Sequence, residues 1–113
     1  MTGMEVGVVA RYFSEKKIGL IQTNREDVIF FRLRDACHLL LDEQVNRIVF
    51  TGHRELTPRE GDLVVFERAT YHGDISGIRH RASHWGSYST WVTFHFVQLV
   101  NLKRLLRDAL SEA

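Results

Sequence analysis

At 113 residues the chain has room for one domain around one core and is too short for two. Its 44% hydrophobic and 26% charged residues mark it as globular rather than disordered, and its longest apolar runs, such as Val28 to Phe31 and His38 to Leu41, fall far short of the roughly 20 residues a membrane span requires. The net charge of +1, from 15 Lys and Arg against 14 Asp and Glu, gives no bulk attraction to nucleic acid, so any such binding must come from local placement of charge.

The first residues, Met1-Thr-Gly-Met-Glu5, lack the basic start and apolar stretch of a secretory signal, so the expected compartment is the cytoplasm, with no membrane partner. Cys37 is the only cysteine, which leaves no internal disulfide and fits a reducing compartment. Segments rich in β-branched and aromatic residues predict strands near Glu5 to Phe13, Ile18 to Thr23 and Asp27 to Arg32, joined by the turns Ser14 to Lys17 and Asn24 to Glu26 as an antiparallel meander. The long stretch from Leu33 to Gly61 follows. Within it, Asp35 to Asp42 has the composition of a short helical turn and Asn46 to Phe50 that of a small strand. A fourth main strand is expected near Asp62 to Ala69 and a fifth near Asp74 to Arg81. Thr90 to Leu99 is dense in β-formers and predicts a further strand, followed by a helix in which Leu102, Leu105, Leu106, Ala109 and Leu110 recur at helical spacing. One continuous helix from about Ser89 is the other reading of the same residues.

The run Gly-Val-Val-Ala-Arg-Tyr-Phe-Ser-Glu-Lys-Lys-Ile-Gly-Leu-Ile, Gly7 to Ile21, resembles without gaps the cold-shock signature Gly-x-Val-Lys-Trp-Phe-Asn-x-x-Lys-Gly-Phe-Gly-Phe-Ile; Gly7, Val9, Lys16, Gly19 and Ile21 are identical. Asp27-Val-Ile-Phe-Phe-Arg32 resembles the second motif, Asp-Val-Phe-Val-His-Phe. Leu56 to Glu67 is similar to Leu-x-x-Gly-x-x-Val-x-Phe-Glu, with one or two extra residues. The resemblance covers roughly Gly7 to Ala82. It implies an all-β fold, a five-stranded antiparallel barrel of the oligonucleotide/oligosaccharide-binding (OB) type, over residues 1–83. Residues 84–113 form an extension, a strand and an α-helix, packed on the barrel or on a second subunit.

Cold-shock domains bind single-stranded RNA or DNA by stacking bases on aromatic side chains of the two motif strands, helped by lysines at the phosphates. In this chain the family's Trp is Arg11, its first-motif Phe positions are Ile18 and Leu20, and the second motif's Phe, His and Phe are Ile29, Phe31 and Arg32. Tyr12 and Phe31 are therefore the expected stacking platforms, with Arg11, Lys16, Lys17 and Arg32 as cationic contacts and Ile18 and Leu20 as apolar support. Alternation along the strands sets Val28 and Phe30 opposite Ile29 and Phe31, and the expectation is that the former pair fills the barrel. Arg79 and Arg81 extend the track, with Trp85 beside them. The competing reading covers the apolar patch with the C-terminal segment or a partner. Apolar residues of that segment, among them Trp91, Phe96, Leu99 and Leu106, also suit a homodimer.

No nucleophile elbow, phosphate-cradling loop or ordered catalytic set is present, so no enzymatic activity and no cofactor are expected. His80 and His84 have four-residue spacing, but the glycines around them disfavour a helix, and neighbouring Cys37 and His38 point apart on a strand, so no metal site is expected. Cys37 leads into Leu39-Leu-Leu41 and reads as a buried structural thiol.

Overall fold

Seven strands and one long helix account for most of residues 3–112, the part of the chain that the computed structural model describes. In order these are β1 (Glu5–Phe13), β2 (Ile18–Thr23), β3 (Val28–Arg32), a 3-10 turn at Leu33–Asp35, β4 (Cys37–Asp42), β5 (Arg47–His53), β6 (Leu63–Thr70), β7 (His80–Ser87) and α1 (Tyr88–Ser111). Five strands close a barrel in the order β1-β2-β3-β7-β6, with β6 returning to β1, while β4 and β5 pair separately.

The ring is mixed in direction, which corrects the all-antiparallel expectation. An odd ring of strands cannot alternate all the way round, so at least one neighbouring pair must run the same way. Here it is β3 and β7, paired in parallel at Phe30 and Arg81. The final barrel strand lies over His80–Ser87 rather than near residues 74–81, because the segment that follows Tyr71 is spent in turns.

The interior is filled from alternate positions of the barrel strands. Val9, Ile21, Ile29, Phe31, Val64, Phe66, Ala82 and Trp85 form one buried cluster. The phase of β3 is thus the reverse of the expected one: Ile29 and Phe31 point inward, and Val28 and Phe30 lie on the outer face. Register explains it, since Ile21 pairs with Ile29 and Gly19 with Phe31. A Cβ on Gly19 would lie 2.5 Å from the Phe31 ring and collide with the Arg11 carbonyl oxygen, so the bare backbone at Gly19 is what lets Phe31 lie across β2. There Phe31 meets Trp85 edge-on at 5.1 Å, and the Trp85 indole donates to the Arg32 carbonyl at 2.8 Å.

The expected strand at Thr90–Leu99 is instead the first half of α1, which begins at Tyr88, so the continuous-helix reading holds. Tertiary packing overrides β-propensity here. Tyr88 stacks on Trp91 and Trp91 on His95, at helical spacings of three and four residues, so the aromatic residues that favour a strand instead reinforce the helix. Residues 37–42, expected as a helical turn, form β4, whose Cys37, Leu39 and Leu41 are buried while His38 and Leu40 face outward. The predicted small strand near residues 46–50 is β5. The β4–β5 hairpin docks on α1, where Asn46 exchanges two hydrogen bonds with Gln98, at 3.0 and 2.7 Å.

An ion-pair network fastens one end of the barrel. Arg68 on β6 is largely buried and forks onto the Glu5 carboxylate of β1 at 3.0 Å through both Nε and Nη2. It also reaches Asp27, at the start of β3, at 2.6 Å, and His80 lies 3.1 Å from the same guanidinium. The Arg68 hydrogen bond, helped by the Thr23 hydroxyl and opposed by partial burial, holds the Asp27 carboxyl at about 2 against an ordinary 3.8. The unfolded chain therefore takes up this proton first as the solution is acidified. The contribution of Asp27 is fully present above about pH 4 and is lost as pH falls toward 2. A fully shielded shift of this size is about 2 kcal/mol; with 40% of the Asp27 side chain exposed, screening leaves about 1 kcal/mol. Thermal midpoints measured across that window should fall for the wild type and change less for Asp27→Asn, which starts lower at neutral pH.

Candidate nucleic-acid interface

The outer face of β1, β2 and β3 carries most of the candidate residues, and a bulge decides which of them it shows. Ala10 is the extra residue between the pairs Val9–Ile21 and Arg11–Leu20, which resets the alternation of β1. Beyond the bulge Arg11 and Phe13 face outward and Tyr12 turns toward the interior. There Tyr12 stacks on Phe31, with centroids 6.4 Å apart and planes 15° apart.

Strand pairing then lays side chains in rungs across the face. One rung runs Arg11, Leu20, Phe30, Arg81 across four strands, and the next runs Phe13, Ile18, Arg32 across three. At about 4.8 Å between strands, the first rung spans about 14 Å, with an arginine at each end and apolar surface between them. The loop leaving β6 borders the apolar part. Tyr71 packs against Phe30 at 5.0 Å with planes tilted by 42°, and Ile75 joins Phe13, Ile18, Leu20 and Phe30 around a shallow depression of about 260 Å3. That is below the roughly 300 Å3 at which small-molecule pockets begin, so the feature is a surface on which planar groups lie rather than a cavity that encloses them.

The predicted residues divide. Arg11, Ile18, Leu20, Arg32 and Arg81 share this outer face, and Lys16 and Lys17 stand exposed in the β1–β2 turn, where Lys17 adopts a left-handed backbone at φ 56°. Arg79 is exposed and precedes β7, its carbonyl accepting from the Tyr71 amide. Phe31 is not on the face: it is fully buried, which corrects its assignment as a stacking platform. Tyr12 is half-buried against the core. Trp85 belongs to the core as well and cannot extend the track. The aromatic residues that the face does present are Phe13, Phe30 and Tyr71, which strand alternation alone did not single out. The signal for Phe13 was the bulge, and for Phe30 the pairing of Gly19 with Phe31.

Cations outnumber acids around the apolar strip. Arg11 lies 5.4 Å over the Phe13 ring and 3.5 Å from Glu60, both partners of that ion pair being well exposed, so the pair is weak and the guanidinium is available for exchange. Arg32 is held by Asp35 at 3.0 Å. Lys16, Lys17, Arg79 and Arg81 form no ion pair among the described residues. The C-terminal helix packs chiefly against β4, β5, β6 and β7, and the strip from Phe13 to Phe30 remains partly open to solvent.

Elsewhere, burial raises the pKa of the Cys37 thiol, and its Sγ donates to the Asp35 carbonyl. His84 stacks on Phe50, and His95, half-buried on α1, bonds Gln98. Among the described residues no group of three or more His, Cys, Asp or Glu side chains is placed to hold a metal ion, and no helix is long and apolar enough to cross a membrane. A comparison with known protein families finds no family model that matches this chain, and a comparison with curated proteins finds no significant match.

Proposed function

We propose that the chain is a nonenzymatic, OB-type protein of cold-shock character that binds single-stranded RNA or DNA across the outer face of β1, β2 and β3. The observation that carries the reading is the rung Arg11–Leu20–Phe30–Arg81, an apolar and aromatic strip with cations at both ends. Bases stack on Phe30, Tyr71 and Phe13, while Arg11, Lys16, Lys17 and Arg81 meet phosphates.

Two features of the fold support it. Leaving out the inserted β4–β5 hairpin, the ring order becomes first, second, third, fifth, fourth, with the third and fifth strands parallel, an arrangement that suits a five-stranded OB barrel. The outward residues of β3 are Phe30, one place along from Ile29, and Arg32, one place along from Phe31 and itself one of the motif positions. The shifted match gives the outer face an aromatic residue followed two places later by a cationic one, much as the motif's Phe and His would.

Ile18 and Leu20, where the family has Phe, offer less stacking surface, so binding leans on arginine and lysine more than in the family the chain resembles. For about four phosphate contacts, the logarithm of affinity for a single strand falls with that of salt at a slope near −3, a loss of about fifty-fold between about 50 and 200 mM. Fluorescence anisotropy with labelled single-stranded RNA and DNA measures that slope. No binding at low salt sinks the proposal. The face read as a protein-docking surface predicts no such dependence.

A further inference from the structure

We infer that α1 pairs with the α1 of a second copy of this chain, antiparallel about a two-fold axis near Asn101. The helix has two faces with different fates. Gln98 and Asn101 hold it to Asn46 of the β4–β5 turn, and every residue from Leu102 to Glu112 is exposed as α1 runs on past the barrel. The projection is long enough to stretch the molecule to 58 × 25 × 22 Å, with a radius of gyration of 16.4 Å where about 13 Å is usual for a compact domain of this length.

Opposite the docked face runs a continuous seam of Val92, Phe96, Leu99, Lys103, Leu106 and Leu110, spaced four, three, four, three, four. This is the heptad spacing of helices that pack along their length. The spacing reads the same in both directions, so a reversed copy meets it in register: Val92 opposite Leu110, Phe96 opposite Leu106, Leu99 opposite Lys103. Five of the six are apolar, and each of those is between 41% and 76% exposed. With Val100 and Leu102 flanking, their exposed surface is on the order of several hundred Å2 on each copy, the scale of the ~800 Å2 per partner that a stable interface buries.

Charge selects the orientation. A parallel pair would set Lys103 against Lys103 within the seam. The antiparallel pair instead lays the aliphatic stem of Lys103 on the partner's Leu99 and leaves its ammonium free to reach water at the edge of the seam. The projecting half of each helix is thereby covered by the open face of the other's docked half, and the closed two-fold leaves no surface to propagate further.

Sedimentation equilibrium of the intact chain at about 0.1 mM is expected to give twice the 13.1 kDa chain mass. Leu106→Asp, a site beyond the body of the protein, is expected to give the single mass with unchanged helical circular dichroism. Orientation is tested in a Cys37→Ala background under mild oxidation. Val92→Cys with Leu110→Cys should cross-link between copies, and Leu110→Cys alone should not. A monomeric wild type, a dimeric Leu106→Asp, or equal cross-linking through Leu110→Cys alone would overturn the proposal.

Discussion

Phe31→Ala is expected to cost the fold about 3–5 kcal/mol, and Phe30→Ala, one residue away, a small fraction of that. Phe31 is fully buried between Tyr12 and Trp85, so truncation leaves a cavity that the surrounding strands cannot collapse to fill. Phe30 stands partly exposed on the outer face against Tyr71, where truncation removes less buried surface and leaves no enclosed cavity. The order reverses for ligand binding. Removing the Phe30 platform should weaken single-strand affinity by about 1–3 kcal/mol, roughly five- to 150-fold. Denaturant titration measures the first effect and anisotropy the second. Equal stabilities for the two variants would contradict the phase of β3 described above.

Arg68→Ala should lower stability by about 3 kcal/mol, because it removes the shared cation and leaves the Glu5 and Asp27 carboxylates together without it. Asp27 is partly exposed and can recover water, which places the cost at the lower end of the range for broken buried pairs. At about 4 °C per kcal/mol for a domain of this size, the thermal midpoint should drop by about 12 °C. Arg68→Lys keeps the charge but not the planar fork that spans both carboxylates, so it should fall between. A loss below about 1 kcal/mol for Arg68→Ala would show that the network contributes little to closing this end of the barrel.

The β1–β2–β3 meander was legible in the sequence because its turns and β-rich segments are short and well separated. The direction in which β3 faces was not. Val28-Ile-Phe-Phe31 is apolar at consecutive positions, since one side fills the barrel and the other forms the outer strip, and a strand apolar on both sides carries no alternation to read. Thr90 to Leu99 misleads for the same reason: α1 is apolar toward the barrel and apolar on its open seam, which erases the helical period and leaves only β-propensity. Ile18 and Leu20 lie on the outer face, as strand alternation expects, and the strand pairing brings Arg11 and Arg81 to the same face. Phe13 and Tyr71 were missed because a bulge and a returning loop put them there, and neither leaves a periodic trace.

The most direct measurement is a two-dimensional amide NMR titration of the intact protein with a short single-stranded oligonucleotide at low salt. Shifts should concentrate at Arg11, Phe13, Leu20, Phe30, Tyr71 and Arg81, leaving residues 102–112 of α1 unmoved. Shifts confined to α1 and the β4–β5 hairpin, or none at saturating oligonucleotide, would contradict the assignment of the β1–β3 face as the binding surface.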